Sequence, residues 1–150
     1  MKKVIVSGII EEDDFFIEKP IGKIGDDLRR IELSEENGGK SAKTHIKVLE
    51  RNYEKNITFL EARLYTGRTH QIRVHFSSLN HPIIGDETYG KKNEKIKANG
   101  QMLHSYYLEF SHPITDENLS FTVLPDEYFF SILNKTGLKF NEELLCKAKD

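Results

Sequence analysis

Between Thr66 and Gly90 the chain reads TGRTHQIRVHFSSLNHPIIGDETYG, 25 residues that hold three of its six histidines and two of its arginines. Imidazoles at this density first suggest a metal site. At about 100° per residue, however, His70 and His75 stand roughly 140° apart around a helix, and on a strand their odd offset puts them on opposite faces. They cannot grip one ion locally. Zinc-binding helices space histidines at i and i+4 and add Cys or Glu ligands, which nothing nearby supplies, so no metal is expected. A nucleophilic serine, Ser77 or Ser78 beside His75 or His81, lacks both the small-residue elbow and a marked acid partner. A phosphate cradle is a third option, because Gly67 permits close approach, Arg68 adds charge, and the N–H groups of Thr69 to Ile72 would be free at a helix start. The plainer alternative, that Gly67 makes a turn and Thr69 caps, fits the spacing equally well.

The element that must carry these side chains is a helix following a strand and a turn at Thr66 to Arg68. Ile72, Phe76 and Leu79 fall at i, i+4 and i+7 and predict its buried stripe. Asn80 suits a left-handed C-cap, and Pro82 prevents continuation. On this helix His70, Arg73 and Ser77 share one flank while Gln71, His75 and Ser78 share the other. Arg73 sits beside the core edge, where an arginine either snorkels or demands a carboxylate, and the sequence marks no particular carboxylate for it.

Around this unit, period-two alternation predicts about five strands: VIVSGII near the start, the Thr44–Ile46–Val48 run, LEARLY at residues 60–65, His104 to Phe110, and Leu119 to Val123. Turn formers fill short connectors at EENGGKS, RNYEKN and HPITDEN, implying antiparallel neighbours. A second helix is predicted after Pro125, where DEYFFSILNKTGL places Phe129, Ile132 and Leu133 on one face before Gly137. The expected fold is α+β, a mixed and mostly antiparallel sheet with packed helices.

At 150 residues the chain is expected to form a single domain, residues 1–150, and its 37% hydrophobic and 31% charged content is that of a folded globular protein. One cysteine, Cys146, excludes an internal disulfide and a Cys-rich zinc site and fits a reducing compartment, so a cytoplasmic location is expected. The apolar run at the start is too short for a signal peptide and meets four acids at once, and no stretch nears the roughly 20 apolar residues of a membrane helix. The net charge of −2 conceals a pattern: residues 40–110 carry 12 basic and 7 acidic side chains, whereas both flanks are acidic. Such asymmetry can present a positive face to a polyanion, and equally can reflect solvated lysines on exposed strands.

The run LYTGRTHQIRVHFSSLNHPIIGDETYG closely resembles the third motif of the RluA-type RNA pseudouridine synthases, near L-x-T-G-R-T-H-Q-I-R-V-H followed by G-H-P-I-x-G-D-x-x-Y-G. Further segments agree in the family's order: VSG, IEKPIG, GGKSAKTHIKVL, LHSYYLEFSHP and FTVLPDEY, together spanning about residues 4 to 130. Asn80 replaces the glycine usual before His-Pro, and it tolerates the same left-handed backbone. The family's aspartate segment, near H-R-L-D-x-x-T-S-G, has no counterpart in this sequence, and its active-site tyrosine would fall at Lys2.

The resemblance implies enzymes that detach uracil from C1′ of its ribose, turn the base and reattach it through C5, without a cofactor. It implies that Arg73 pairs with the family's aspartate, which is absent from this chain, and that Ile72 lies beside the target base. Arg68, His70 and Gln71 are expected in the substrate pocket or on the RNA backbone. Asp86 belongs to the third motif's turn and is not expected to act as nucleophile. Lys40, Lys43, Lys47 and Arg63 are candidate phosphate neighbours on ribosomal or transfer RNA. Tyr89, His104 and His112 are read as structural. The chain thus looks like the C-terminal portion of a catalytic domain, expected to be inactive alone and to self-associate as a homodimer or swapped assembly through exposed strand edges. The alternative is a non-catalytic RNA-binding module derived from the same fold.

Overall fold

The computed structural model describes residues 1–138, so Cys146 lies outside the described residues. Nine strands and two helices follow in the order β1 (Lys2–Ser7), β2 (Asp14–Glu18), β3 (Ile21–Gly22), β4 (Ile31–Glu32), β5 (Lys43–Asn52), β6 (Ile57–Leu64), α1 (Gln71–Ser78), β7 (Leu103–Ser105), β8 (Tyr107–Ser111), β9 (Asn118–Thr122) and α2 (Glu127–Thr136). The main sheet has the order β2-β5-β6-β1-β7, with every recorded strand pair antiparallel. Two small ribbons, β3-β4 and β8-β9, accompany it. The α+β architecture expected from alternation and turn chemistry is the one observed.

Both faces of β1 are covered, so Val4, Ile5 and Val6 are all fully buried and its sequence reads as a continuous apolar run. Lys3 is also fully buried, and its ammonium is held 2.8 Å from Glu61, whose Oε2 accepts the Tyr106 hydroxyl at 2.6 Å. Paired and hydrogen-bonded in this way, the charge is tolerated where an isolated one would not be. β5 alternates at its start, where Thr44 and Ile46 turn inward and Lys47 is exposed, whereas β6 is buried from Ile57 through Leu60 and alternates only beyond, with Ala62 buried and Arg63 exposed.

The inward face meets α1 and α2. Ile72, Phe76, Phe129, Ile132 and Leu133 join Val4, Phe59, Leu60 and Ala62 in one core cluster. α2 behaves as its sequence predicts: Asp126 caps by accepting from Phe129 N at 2.8 Å, and Gly137 closes the helix in the left-handed conformation. α1 departs from expectation at its start. Its N-cap is His70, at φ 56°, and no side chain caps it, while Thr69 is exposed. Its end is as predicted, with Asn80 at φ 63°.

Two further differences concern strands. DFFIE forms β2, although apolar Phe15, Phe16 and Ile17 in succession hide the alternation. The expected continuous strand from His104 to Phe110 breaks at Tyr106, which is buried while Leu108 and Phe110 are exposed, so the two halves face different surroundings.

Candidate active site

The loop after α1 is fixed to the sheet by backbone bonds. Ser7 N donates to Pro82 O and Ile84 N to Ile5 O, while Met102 N returns to Ile84 O. Gly85 follows at φ 78°, and a Cβ there would lie 2.0 Å from Gly100 O, so only glycine lets the two segments approach this closely. The consequence is positional, since the next residue, Asp86, is carried beneath α1.

There Arg73 finds its carboxylate. Nε donates to Asp86 Oδ2 at 2.7 Å and Nη2 to Oδ1 at 2.9 Å, a two-point fork with the Asp86 side chain fully buried and that of Arg73 16% exposed. Asp86 Oδ1 also accepts from Thr88 N and Tyr89 N at 3.0 Å each. Burial on its own would raise the Asp86 pKa, but the Arg73 fork and these two N–H groups outweigh it and hold the carboxyl below the usual carboxylate range. The sequence marks no particular carboxylate for Arg73, and the structure supplies Asp86 along one edge of its guanidinium. Its Nη1 makes no hydrogen bond among the described residues.

Tyr89 completes the cluster. Arg73 stacks on its ring at 4.9 Å, and its hydroxyl accepts from Arg30 N at 2.8 Å and stands 3.0 Å from His70 Nδ1. Burial, then the Arg73 and Arg30 charges, lower the His70 pKa, which favours the neutral ring at neutral pH. Tyr89 thus closes a turn, as expected, and also joins Arg30, His70 and Arg73.

Beside these residues lies a cleft of about 410 Å³ whose walls include Lys23, Arg30, Lys40 and Arg68. Arg68 is steered into place by donating from Nε to Ser41 O at 2.9 Å. Sequence reasoning anticipated Lys40 and Arg68 but missed Lys23 and Arg30, which sit in an irregular, acid-rich stretch without periodicity. The other expected RNA contacts do not join this cleft. Lys43, Lys47 and Arg63 belong to the outward positions of β5 and β6, where Lys43 pairs with Glu18 at 2.9 Å.

Two expected pocket residues prove to be interior. Ile72 is 4% exposed and belongs to the core. Gln71 is 3% exposed, and its amide is fully used: Oε1 accepts from Thr66 Oγ1 and Arg68 N, and Nε2 donates to Lys43 O and Thr44 Oγ1. Thr44 in turn donates to His75 Nδ1 at 2.9 Å, and His75 Nε2–H donates to Lys19 O at 2.9 Å, a relay consistent with a neutral ring. Burial is the main cause of the lowered His75 pKa. Gln71 and His75 therefore build the platform under the site, and both ring nitrogens of His75 are committed. Among the described residues no three His, Cys, Asp or Glu side chains gather as a metal-binding group.

This α+β fold is shared with solved pseudouridylate synthase domains. The human RNA pseudouridylate synthase domain containing 1 superposes with a TM-score of 0.76 at 27% identity, covering 98% of this chain and 63% of that one. A family profile described as RNA pseudouridylate synthase matches residues 3–78, and the chain belongs to that family. An uncharacterized RNA pseudouridine synthase of Aquifex aeolicus is 40% identical over 137 residues, 87% of this chain and 43% of its own length. Ribosomal large subunit pseudouridine synthase D of Neisseria meningitidis serogroup A is 40% identical over 139 residues, 85% of this chain and 36% of that one. The chain thus spans about two fifths of the length of these curated relatives.

Proposed function

We propose that this chain supplies the arginine side of an RNA pseudouridine synthase active site, acting on uridine in ribosomal or transfer RNA, and that the nucleophilic aspartate comes from a segment outside this sequence. The observation that carries this reading is the division of labour around Arg73. Asp86 holds Nε and Nη2, while Nη1 keeps its donors for a second carboxylate.

In the reaction, the bond between C1′ and N1 breaks, the uracil turns, and a new bond joins C1′ to C5, whose proton is lost as N1 gains one. An aspartate facing Arg73 would be kept ionised and oriented by a charge-assisted hydrogen bond to Nη1. Asp86 is a poor substitute. It is fully buried, receives four donors and has a lowered pKa, so it lacks both the reach and the basicity for attack or proton abstraction. The target base must leave its stack to enter such a site, and the Lys23–Arg30–Lys40–Arg68 cleft offers phosphate contacts that offset that cost.

Purified chain incubated with a uridine-containing transcript is expected to form no pseudouridine, and turnover would show that a carboxylate of this chain serves. The same basic cleft, without an accessible nucleophile, favours a second reading as an RNA-binding module that performs no chemistry. Both readings require RNA affinity that falls steeply with salt, by several counterions' worth of slope. Affinity that is flat in salt would remove them together.

A further inference from the structure

Adjoining the segments that wall the Arg68 cleft lies a second cleft of about 450 Å³, bordered by Pro20, Ala42, Tyr65 and Lys43 and by two carboxylates, Glu18 and Glu35. The two clefts draw on successive residues of the same two stretches, Lys40 with Arg68 in one and Ser41 to Lys43 with Tyr65 and Thr66 in the other. The second opens beside a group of rings on the outward face of the sheet. Phe16 is 49% exposed and Tyr65 52% exposed, with centroids 5.8 Å apart at 62°, and His45 lies 4.8 Å from Phe16. Lys43 Nζ stands 4.5 Å from the Phe16 centroid and 5.8 Å from that of Tyr65, and Arg63 lies 5.3 Å from Tyr65 on the same ring system.

We propose that this cleft and ring cluster bind an unpaired nucleotide of the RNA flanking the target uridine, with the base stacked on Tyr65 or Phe16 and its phosphate met by Lys43 and Arg63. The inference rests on the RNA synthase reading and adds a subsite to it. Three features select this occupant. Large rings half exposed on a sheet surface offer flat apolar area that a base covers well, and stacking tolerates any base because each has a π face. The cations over the rings can exchange a ring face for a phosphate without leaving the site. The acids at the site, Glu18 beside Lys43, Asp14 beside His45 and Glu35 at the border of the cleft, partly cancel the positive charge, which disfavours a bare anion or a duplex bound through phosphates alone. What survives that cancellation is affinity for exposed bases.

The test is titration of a labelled single-stranded RNA and a duplex of the same length against the chain, comparing the unsubstituted protein with Phe16→Ala, Tyr65→Ala, the double variant and Tyr65→Trp. Each alanine should weaken single-strand binding about tenfold, with little effect on the duplex and an unchanged salt slope, because stacking releases no counterions. Tyr65→Trp should retain or improve binding, which separates stacking from a loss of fold. Lys40→Ala with Arg68→Ala should instead flatten the slope. A correctly folded double variant that binds single strands as well as the unsubstituted chain would overturn the subsite while leaving the RNA reading intact. So would equal losses on both RNAs, or a patch found covered by another protein segment. Absence of RNA binding by the unsubstituted chain would overturn both.

Discussion

At the scale of single residues, Arg73 is the pivot, and its behaviour shows what local sequence can convey. Its place on the helix puts it at the core edge and requires a carboxylate. The identity of that carboxylate is not written locally, because Asp86 reaches Arg73 only through a loop pinned to β1 by Ser7 and Ile5. Asp86→Asn removes the charge opposite a largely buried guanidinium and is expected to destabilise the fold by about 3 kcal/mol in urea unfolding; an unchanged midpoint would show that the pair contributes nothing. His75 gives a prediction in pH. Its pKa is lowered in the folded state, so the unfolded chain binds more protons on acidification. The stability contributed by its neutral form is present above the unfolded value, about 6.5, and is lost as pH falls from there through the folded value. Unfolding midpoints should decline between pH 7 and pH 5, and His75→Gln should flatten that decline. An equal decline in the variant would assign it to other groups. Gln71 carries a different lesson: its motif suggested a ligand contact, whereas its four hydrogen bonds make it a strut, a distinction that only burial reveals.

At the scale of elements, α2 and the β5-β6 hairpin follow from periodicity and turn residues, because each is specified by neighbours in sequence. α1 follows in its apolar stripe and its Asn80 terminus, yet its start does not, since His70 takes the left-handed conformation and the turn's donors go to Gln71 Oε1 instead of a cap. β2 escapes notice because Phe16 faces outward as an apolar residue where alternation calls for a polar one. The helix is held to the sheet chiefly by its buried ring, and Phe76→Ala should cost about 3–5 kcal/mol, detectable as a lowered unfolding midpoint. A loss below about 1 kcal/mol would mean that α1 is not anchored through the core. Asp126→Ala at the start of α2, by contrast, should cost only about 1 kcal/mol.

At the scale of the whole molecule, the β8-β9 ribbon is the unresolved demand of the sequence. Leu108 pairs with Phe121, and Phe110 stacks on Phe121 at 6.0 Å, so alternation has produced one apolar face. That face is exposed, with Leu108 at 58% and Phe121 at 53%. Alternation correctly announces a strand with a face to bury, but it cannot say what buries it. Apolar area of this kind invites association, and we expect purified chain to self-associate through it. Phe121→Glu should shift light scattering toward monomer, and a chain that is monomeric at high concentration before substitution would count against this expectation.

An arginine half of the kind proposed can be completed by the segment that carries the aspartate. Fusion of this chain to the part of the Aquifex aeolicus relative that lies outside its match to this chain should give pseudouridine formation in a uridine-containing transcript. Arg73→Ala in that fusion should lower the rate by orders of magnitude while the protein stays folded. Turnover by the unfused chain, or full activity in the Arg73→Ala fusion, would contradict the assignment of this chain as the arginine half of the active site.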